Sequence, residues 1–346
     1  MTLNFRIYSQ THQGTQPHLW AHSISTRVAL TIFILFMMSC HAQADLTPLQ
    51  QQNKIRGMVL YNQYKIATPE LTIAAEAGDR EAQFYLAEEL RQQNQYITAD
   101  AKKWYMAAAE QGDYYAIFKL ATSKSDLCST MNNCPEGSKK PGEWLEHLWK
   151  IAEPKANSGD GEAMYIMYLA TTKLDWLEKS AEAGYAQGQW LLANRYKEGE
   201  RFFLPWKRQE VIGQWLKASA EGGFPKAMLE FSGYLYENGG DLSVARHWIE
   251  EAAKLGYETG VSSYGAYLAH APSLYDFPLD LVKGYALTSL LTELDGGGNI
   301  KPYVDEVLPE IAAKMSPGQI DEAKVFAKQW KDSHPPLSFY PDKLGY

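Results

Sequence analysis

Apolar and small residues recur along the chain in a fixed frame around six glycines: Gly78, Gly112, Gly159, Gly184, Gly223 and Gly256. Three residues before each stands an alanine (Ala75, Ala109, Ala156, Ala181, Ala220, Ala253), and four residues after it a small residue (Ala82, Ala116, Ala163, Gly188, Ala227, Gly260). Eight residues after it stands Leu86, Leu120, Met167, Leu192, Phe231 or Tyr264, and eight before it, in four of the six, Trp104, Trp176, Trp215 or Trp248. An internal repeat of this regularity settles the architecture ahead of residue propensities. The spacing is helical on both sides of each glycine. Residues 82, 86, 87 and 90 share one face of a helix over 81–90, and residues 101, 104, 108 and 109 one face of a helix over 100–110. Asp100 suits the first turn or the N-cap, and Gly112 ends its helix where a positive φ costs least. The pattern predicts an all-α chain of helical hairpins stacked in series, with small residues at the seams and the in-phase tryptophans filling the space between units.

In chain order, 41–48 reads as a tether and 49–332 as the repeat array. Leu49–Ile66 opens the array as an N-terminal cap, and Pro69 begins the second helix of an incomplete first unit. Residues 122–141, rich in Ser, Lys, Asn, Gly and Pro, replace a short turn by a long loop, either a tolerated insertion or a partner-binding loop. The next helix carries Trp144, Trp149 and Pro154 and is expected to be irregular. The interval from Gly159 to Gly184 is short and demands a tightly connected pair. Arg201–Trp206 (RFFLPW) either fills a groove between units or stands exposed as an anchor. Residues 241–256 restore the regular unit, 270–278 form a loop, and 295–299 a glycine-rich turn. Residues 303–332 form a capping helical pair with a more charged outer face. Residues 333–346, with three prolines, are expected to lie as a tail on the surface.

The run Ala181, Gly184, Leu192 and Tyr196, completed by Trp215 and Ala220, resembles the Sel-one-like repeat family, a relative of the tetratricopeptide repeat. The resemblance covers about residues 70–332, and departs from the family pattern at 122–141, at 159–184 and at several Tyr positions. It implies a right-handed α-solenoid of antiparallel helix pairs that serves as an adaptor for other proteins. Exported lipoprotein members are similar to immunity proteins against enzymes delivered by type VI secretion, and others to partners of cell-envelope machinery.

The N-terminus changes the picture of location. Residues 1–27 contain Arg6 and Arg27 and no acid, and Val28–Met38 is an apolar run of eleven residues, too short to span a bilayer and of signal-peptide length. Two cleavage readings stand. Met37–Cys40 resembles a bacterial lipobox, with Met37 where Leu is usual, and would leave Cys40 lipidated after a signal peptide of residues 1–40. The alternative, Ala42-Gln43-Ala44, would release a soluble protein after residue 44. Either way the expected location is the periplasm, with an outer-membrane lipid anchor in the first case. Cys128 and Cys134, spaced C-x5-C, suit a disulfide in an oxidising compartment, with free thiols as the alternative and a metal site disfavoured for want of neighbouring ligands. A formal charge of −8 argues against nucleic acid, whose phosphates it would repel.

Candidate chemistry is sparse. Glu146-His147 lacks the second His of H-E-x-x-H, the Gly260–Gly265 stretch misses G-x-S-x-G spacing, and no phosphate loop is present. His147, His247 and His270 are isolated, and Glu88-Glu89 and Glu250-Glu251 read as solvated helix faces. No enzyme activity, cofactor or metal is expected. The in-phase tryptophans and the six glycines read as structural. The out-of-phase aromatics Tyr85, Tyr115, Phe118, Tyr165 and Trp190 lie on the helices after each glycine, which would line the inner curve, and are the candidates for binding a protein partner.

Overall fold

In a computed structural model, the described residues are 45–344 except 125, 202–203 and 295–299. Cys40, both cleavage sites, Phe202, Phe203 and the 295–299 turn lie outside them. The described part forms one compact unit of seventeen α-helices. They follow as helical pairs: α1 (Pro48–Asn62) with α2 (Thr68–Glu76); α3 (Arg80–Asn94) with α4 (Ala99–Glu110); α5 (Tyr114–Thr122) with α7 (Pro141–Asn157), the short α6 (Leu127–Met131) lying between; α8 (Gly161–Thr171) with α9 (Leu174–Glu182). The series continues with α10 (Ala186–Lys197) and α11 (Pro205–Glu221), α12 (Pro225–Glu237) and α13 (Leu242–Lys254), α14 (Glu258–Leu268) and α15 (Leu281–Leu290), then α16 (Ile300–Ala312) and α17 (Pro317–Ser333). This is an α-solenoid. Successive helices pack on one another as far as α15, the short α6 aside. Helices α16 and α17 then both pack on α15 and hardly on each other, so the expected capping pair over 303–332 is two helices laid separately on the last hairpin. The first helices of neighbouring pairs also touch, α1 with α3, α5 with α8 and α8 with α10. Helices crowd on the inside of a curve, so these first helices form the inner face.

Each frame glycine closes a second helix. The six glycines have φ between +75° and +103°. Their N–H groups reach back to the frame alanine (Gly78 to Ala75, 3.0 Å), and the next N–H reaches five residues back (Asp79 to Ala74, 3.1 Å; Tyr257 to Ala252, 3.2 Å). Those are the two bonds of a Schellman closure, which satisfy the last carbonyls of the helix. In three units the residue after the glycine is an aspartate that starts the next helix. Asp79, Asp113 and Asp160 accept the N–H of Ala82, Ala116 and Ala163 at 2.8–2.9 Å. In these three units the small residue four places after the glycine is therefore the third residue of a capped helix as well as a packing site. Thr98 caps α4, and Asp100 sits in its first turn. In the later units Tyr185, Phe224 and Tyr257 occupy the cap position and make no side-chain cap bond.

Four further expectations need correction. The in-phase tryptophans are half-buried at the edge of the core. The residue that follows each one, Tyr105, Leu177, Leu216 or Ile249, is the one driven fully inside. A helix buries only a stripe, and the tryptophans sit at its margin, where Lys103 and Lys179 ride over the rings of Trp104 and Trp176 at 4.7 Å. Second, α7 runs unbroken through Pro154, whose ring stands on the exposed face near the helix end, so the carbonyl it leaves without a donor faces water. Third, the 122–141 insertion is not a plain loop. It forms α6 and docks back on α4: Leu127 N–H bonds to Ile97 O at 3.0 Å, and the buried Lys102 pairs with Asp126 at 2.7 Å. Cys128 and Cys134 are joined by a disulfide. Within RFFLPW, the described Leu204 and Trp206 are exposed.

The fourth correction is the largest. The C-terminal tail does not lie on the outer surface. It leaves α17 at His334, whose ring stacks on Trp330 at 3.8 Å, and turns inward. Phe339 N–H bonds to Asn62 O (2.9 Å), its ring stacks on Tyr64 (4.7 Å), and Gln63 donates to Leu337 O (3.0 Å). With Lys65 reaching Glu293 O at 2.6 Å, the first helix of the array meets its last elements.

Candidate functional site

The inner face is a trough floored by the first helices of the pairs, and residues 335–344 run along it without helical structure, with a left-handed residue at Tyr340 (φ +46°) and a turn at 343–344, half-buried for most of their length. The path begins at the α13–α14 turn. Ser338 N–H donates to Gly256 O (2.8 Å), and Ser338 O accepts the N–H of Glu258 (2.9 Å). The side chain of Tyr257 offers α14 no cap; the tail carbonyl instead takes the first N–H of the helix, where the aspartates of earlier units take the third, at the positive end of the helix dipole. Gly256 makes the passage possible. A Cβ there would meet Pro336 O at 2.6 Å, whereas at Gly112, Gly159, Gly184 and Gly223 it would meet no described atom within 4 Å.

Beyond that point the contacts become polar and aromatic. Tyr340 donates to Leu255 O (3.0 Å) and sets its ring edge against Tyr257. Asp342 pairs with Lys226 at 2.9 Å, and Lys226 also lies 5.8 Å from the ring centre of Trp190. Lys343 sits over the ring of Tyr115 at 4.5 Å, and Leu344 O accepts from Lys119 at 3.0 Å. Lys119 bonds in turn to the buried carboxylate of Glu88 (3.2 Å), which also takes Arg91 (2.7 Å) and the hydroxyl of Tyr105 (2.6 Å). Burial pushes the Lys119 ammonium below the ordinary lysine value against the pull of Glu88. Far from being a solvated face, Glu88 is thus the anchor of an ionic cluster at the end of the trough.

The five aromatic candidates divide. Tyr85 and Phe118 are buried in the core, Tyr85 edge-on to Tyr61. Neither is offered to a partner, because both point between helices. Tyr115 and Tyr165 are also buried, yet they border the trough. Tyr115 donates to Glu162 at 2.9 Å and lies 3.1 Å from the hydroxyl of Tyr185. Burial, then Tyr185 and Glu162, push its phenol well above the usual tyrosine value, so it stays a donor. Trp190 is half-buried, with its indole N–H bound to Glu230, which also pairs with Lys197. Together with Tyr168, Arg195 and Asp342 of the tail, Tyr165 and Trp190 wall a cavity of about 230 Å³.

The residues that reasoning from sequence missed are Lys226, Lys119, Arg195 and the tail itself. One signal was present: Ser338-Phe339-Tyr340 is too aromatic for a solvated tail. The histidines have ordinary roles. His147 lies against Trp144, His247 is exposed beside Glu251, and His270 bonds to Phe277 O at 2.7 Å. Asp126, Cys128 and Cys134 stand together, but the two sulfurs are bonded to each other, which removes them as metal ligands.

Glycine-closed helix pairs with small-residue seams define the class: an α-solenoid of antiparallel helix pairs. Two solved structures are similar to it. One is c5321, a protective antigen present in uropathogenic Escherichia coli strains displaying an SLR fold (19% identity, TM-score 0.46, 82% of this chain and 61% of that one). The other is a Sel1 repeat protein from Oxalobacter formigenes (21% identity, TM-score 0.39, 71% of this chain and 97% of that one). The chain therefore spans about 61% of the length of the first. No family model matches the chain, and no curated protein matches it.

Proposed function

We propose that this chain is a non-enzymatic interaction scaffold of the bacterial envelope that engages another protein along its inner trough. One observation carries the reading: the trough already holds a polypeptide segment by main-chain bonds, ring contacts and ion pairs, the means by which a scaffold holds a partner. Export is supported by the apolar N-terminal run and by the Cys128–Cys134 bond, which an oxidising compartment maintains. Within this reading, the specific role is neutralisation of a delivered toxin enzyme, and the lipid on Cys40 would hold the scaffold at the outer membrane.

The test is affinity capture from envelope extracts with the wild-type chain, with Trp190→Ala and Lys226→Ala, and with Lys217→Ala on the exposed face of α11 as control. The trough variants should lose a partner that the control keeps, with circular dichroism unchanged. A partner retained by both trough variants moves the interface elsewhere. Co-expression with neighbouring effectors tests the toxin role, and full effector activity in the presence of this chain would exclude it.

A further inference from the structure

We infer that the trough is a recognition site for a peptide segment of defined chemistry, and that residues 335–344 are its resident occupant, which the partner segment displaces. The inference rests on the inner-face reading and names the kind of segment that face takes.

The requirements can be read from the tail. One residue must present both its N–H and its C=O to Gly256 O and to the N–H of Glu258. An aromatic must follow, for Tyr64, and a second must approach Tyr257. A carboxylate four residues after the first must reach Lys226, and the next residue must put a cation over the buried ring of Tyr115. A chain already extended by proline loses little entropy on lying down in such a groove, and Pro335, Pro336 and Pro341 supply this in the tail.

Two observations make the tail an occupant and not a strut. Of its described residues only Ser338 is fully buried; Pro335 and Pro336 are exposed, and the rest are half-buried, with the Asp342 carboxylate largely covered. And beside Asp342 the tail leaves the cavity of about 230 Å³, walled by Tyr165, Tyr168, Leu169, Trp190 and Leu191 with Arg195 at its edge. Among the described tail residues only Asp342 borders it. A segment that keeps the carboxylate on Lys226 and also carries an aromatic or long aliphatic side chain able to enter the cavity would fill it as well, and so would bind in preference.

The probe is a fluorescein-labelled peptide of residues 334–346, followed by anisotropy. The hosts are the full chain and the full chain carrying Ser338→Pro and Asp342→Lys, changes that remove the donor to Gly256 and reverse the charge facing Lys226. The labelled peptide should bind the double variant at least tenfold more tightly than the wild type. Asp342→Lys in the peptide, or Gly256→Ala added to the host, should each weaken that binding at least tenfold. Equal binding to wild type and double variant, or indifference to both controls, overturns the inference. Should the double variant unfold, hydrogen exchange on the wild type decides. The Ser338 and Phe339 amides should open at least a hundredfold more readily than those in the middle of α14, and equal protection would make the tail a permanent part of the fold. Capture of a trough-dependent partner with no peptide exchange sinks this inference alone. Peptide exchange with a partner that ignores the trough variants sinks the functional reading alone.

Discussion

The carbonyl oxygen of Ser338 accepts the N–H of Glu258 at 2.9 Å, so the C-terminal tail caps α14, a helix three places before the end of the array. That bond ties the end of the chain to the only frame glycine, among those with described surroundings, whose absent side chain makes room for another segment.

Gly256→Ala and Gly223→Ala should therefore differ. Both place alanine at positive φ, near +75° and +85°, which costs about 1–2 kcal/mol. At Gly223 that is the whole effect. At Gly256 the new methyl also strikes Pro335 O and Pro336 O, so the tail must leave. Urea unfolding should show the larger loss for Gly256→Ala, and exchange at Ser338 N–H should rise in that variant only.

Burial ranks the tryptophans differently from the repeat frame. Trp144, which lies outside the in-phase set, is fully buried, whereas Trp215 is half-buried at the core margin. Trp144→Ala should cost about 3–5 kcal/mol and Trp215→Ala clearly less, as read by thermal or chemical unfolding. The neighbouring Leu216→Ala should cost about 2–5 kcal/mol.

Glu178 sets one part of the acid limb. Hydrogen bonds from Arg201 outweigh the opposing effect of burial and, with one from Tyr196, hold its carboxyl below the ordinary value of 4.5. A carboxyl with a depressed folded value stabilises the fold above its unfolded value, and that contribution is lost as pH falls through the folded one. The Glu178 resonance should titrate below pH 4.5. Glu178→Gln should be less stable than wild type at pH 7, with the gap closing as the carboxylate protonates.

The Cys128–Cys134 bond closes a short loop, so replacing both with alanine should cost about 2 kcal/mol, at the low end for disulfides. The loss should be local. Leu127 N–H, bonded to Ile97 O, should exchange faster while α10–α14 amides are unchanged. Reduction of the wild type should reproduce the effect.

Much of this was legible in residue order. The glycines at positive φ, the alanine seams and the helix pairs follow from contacts within about ten residues, and such contacts leave a periodic trace. Which residue is innermost was legible only to the stripe: Trp176 and Leu177 are adjacent, and whether the indole or the leucine points inward depends on the angle at which the next helix crosses. The trough candidates show the same limit. Phe118 and Tyr165 share a helical position, six residues after their frame glycines, yet Phe118 is buried in the core and Tyr165 walls the trough cavity.

The chain's own periodicity determined that it would be a stack of helical hairpins, where the hairpins would turn, and that the disulfide pair would lie in the interruption. What lies in the centre of the stack was decided by tertiary structure alone. The curvature that brings Lys65 to Glu293 sums small angles between successive pairs, and no local pattern encodes that sum. Once the ends meet, the tail's shortest path lies inward, where aromatic rings, Lys226 and an uncapped helix end wait for it.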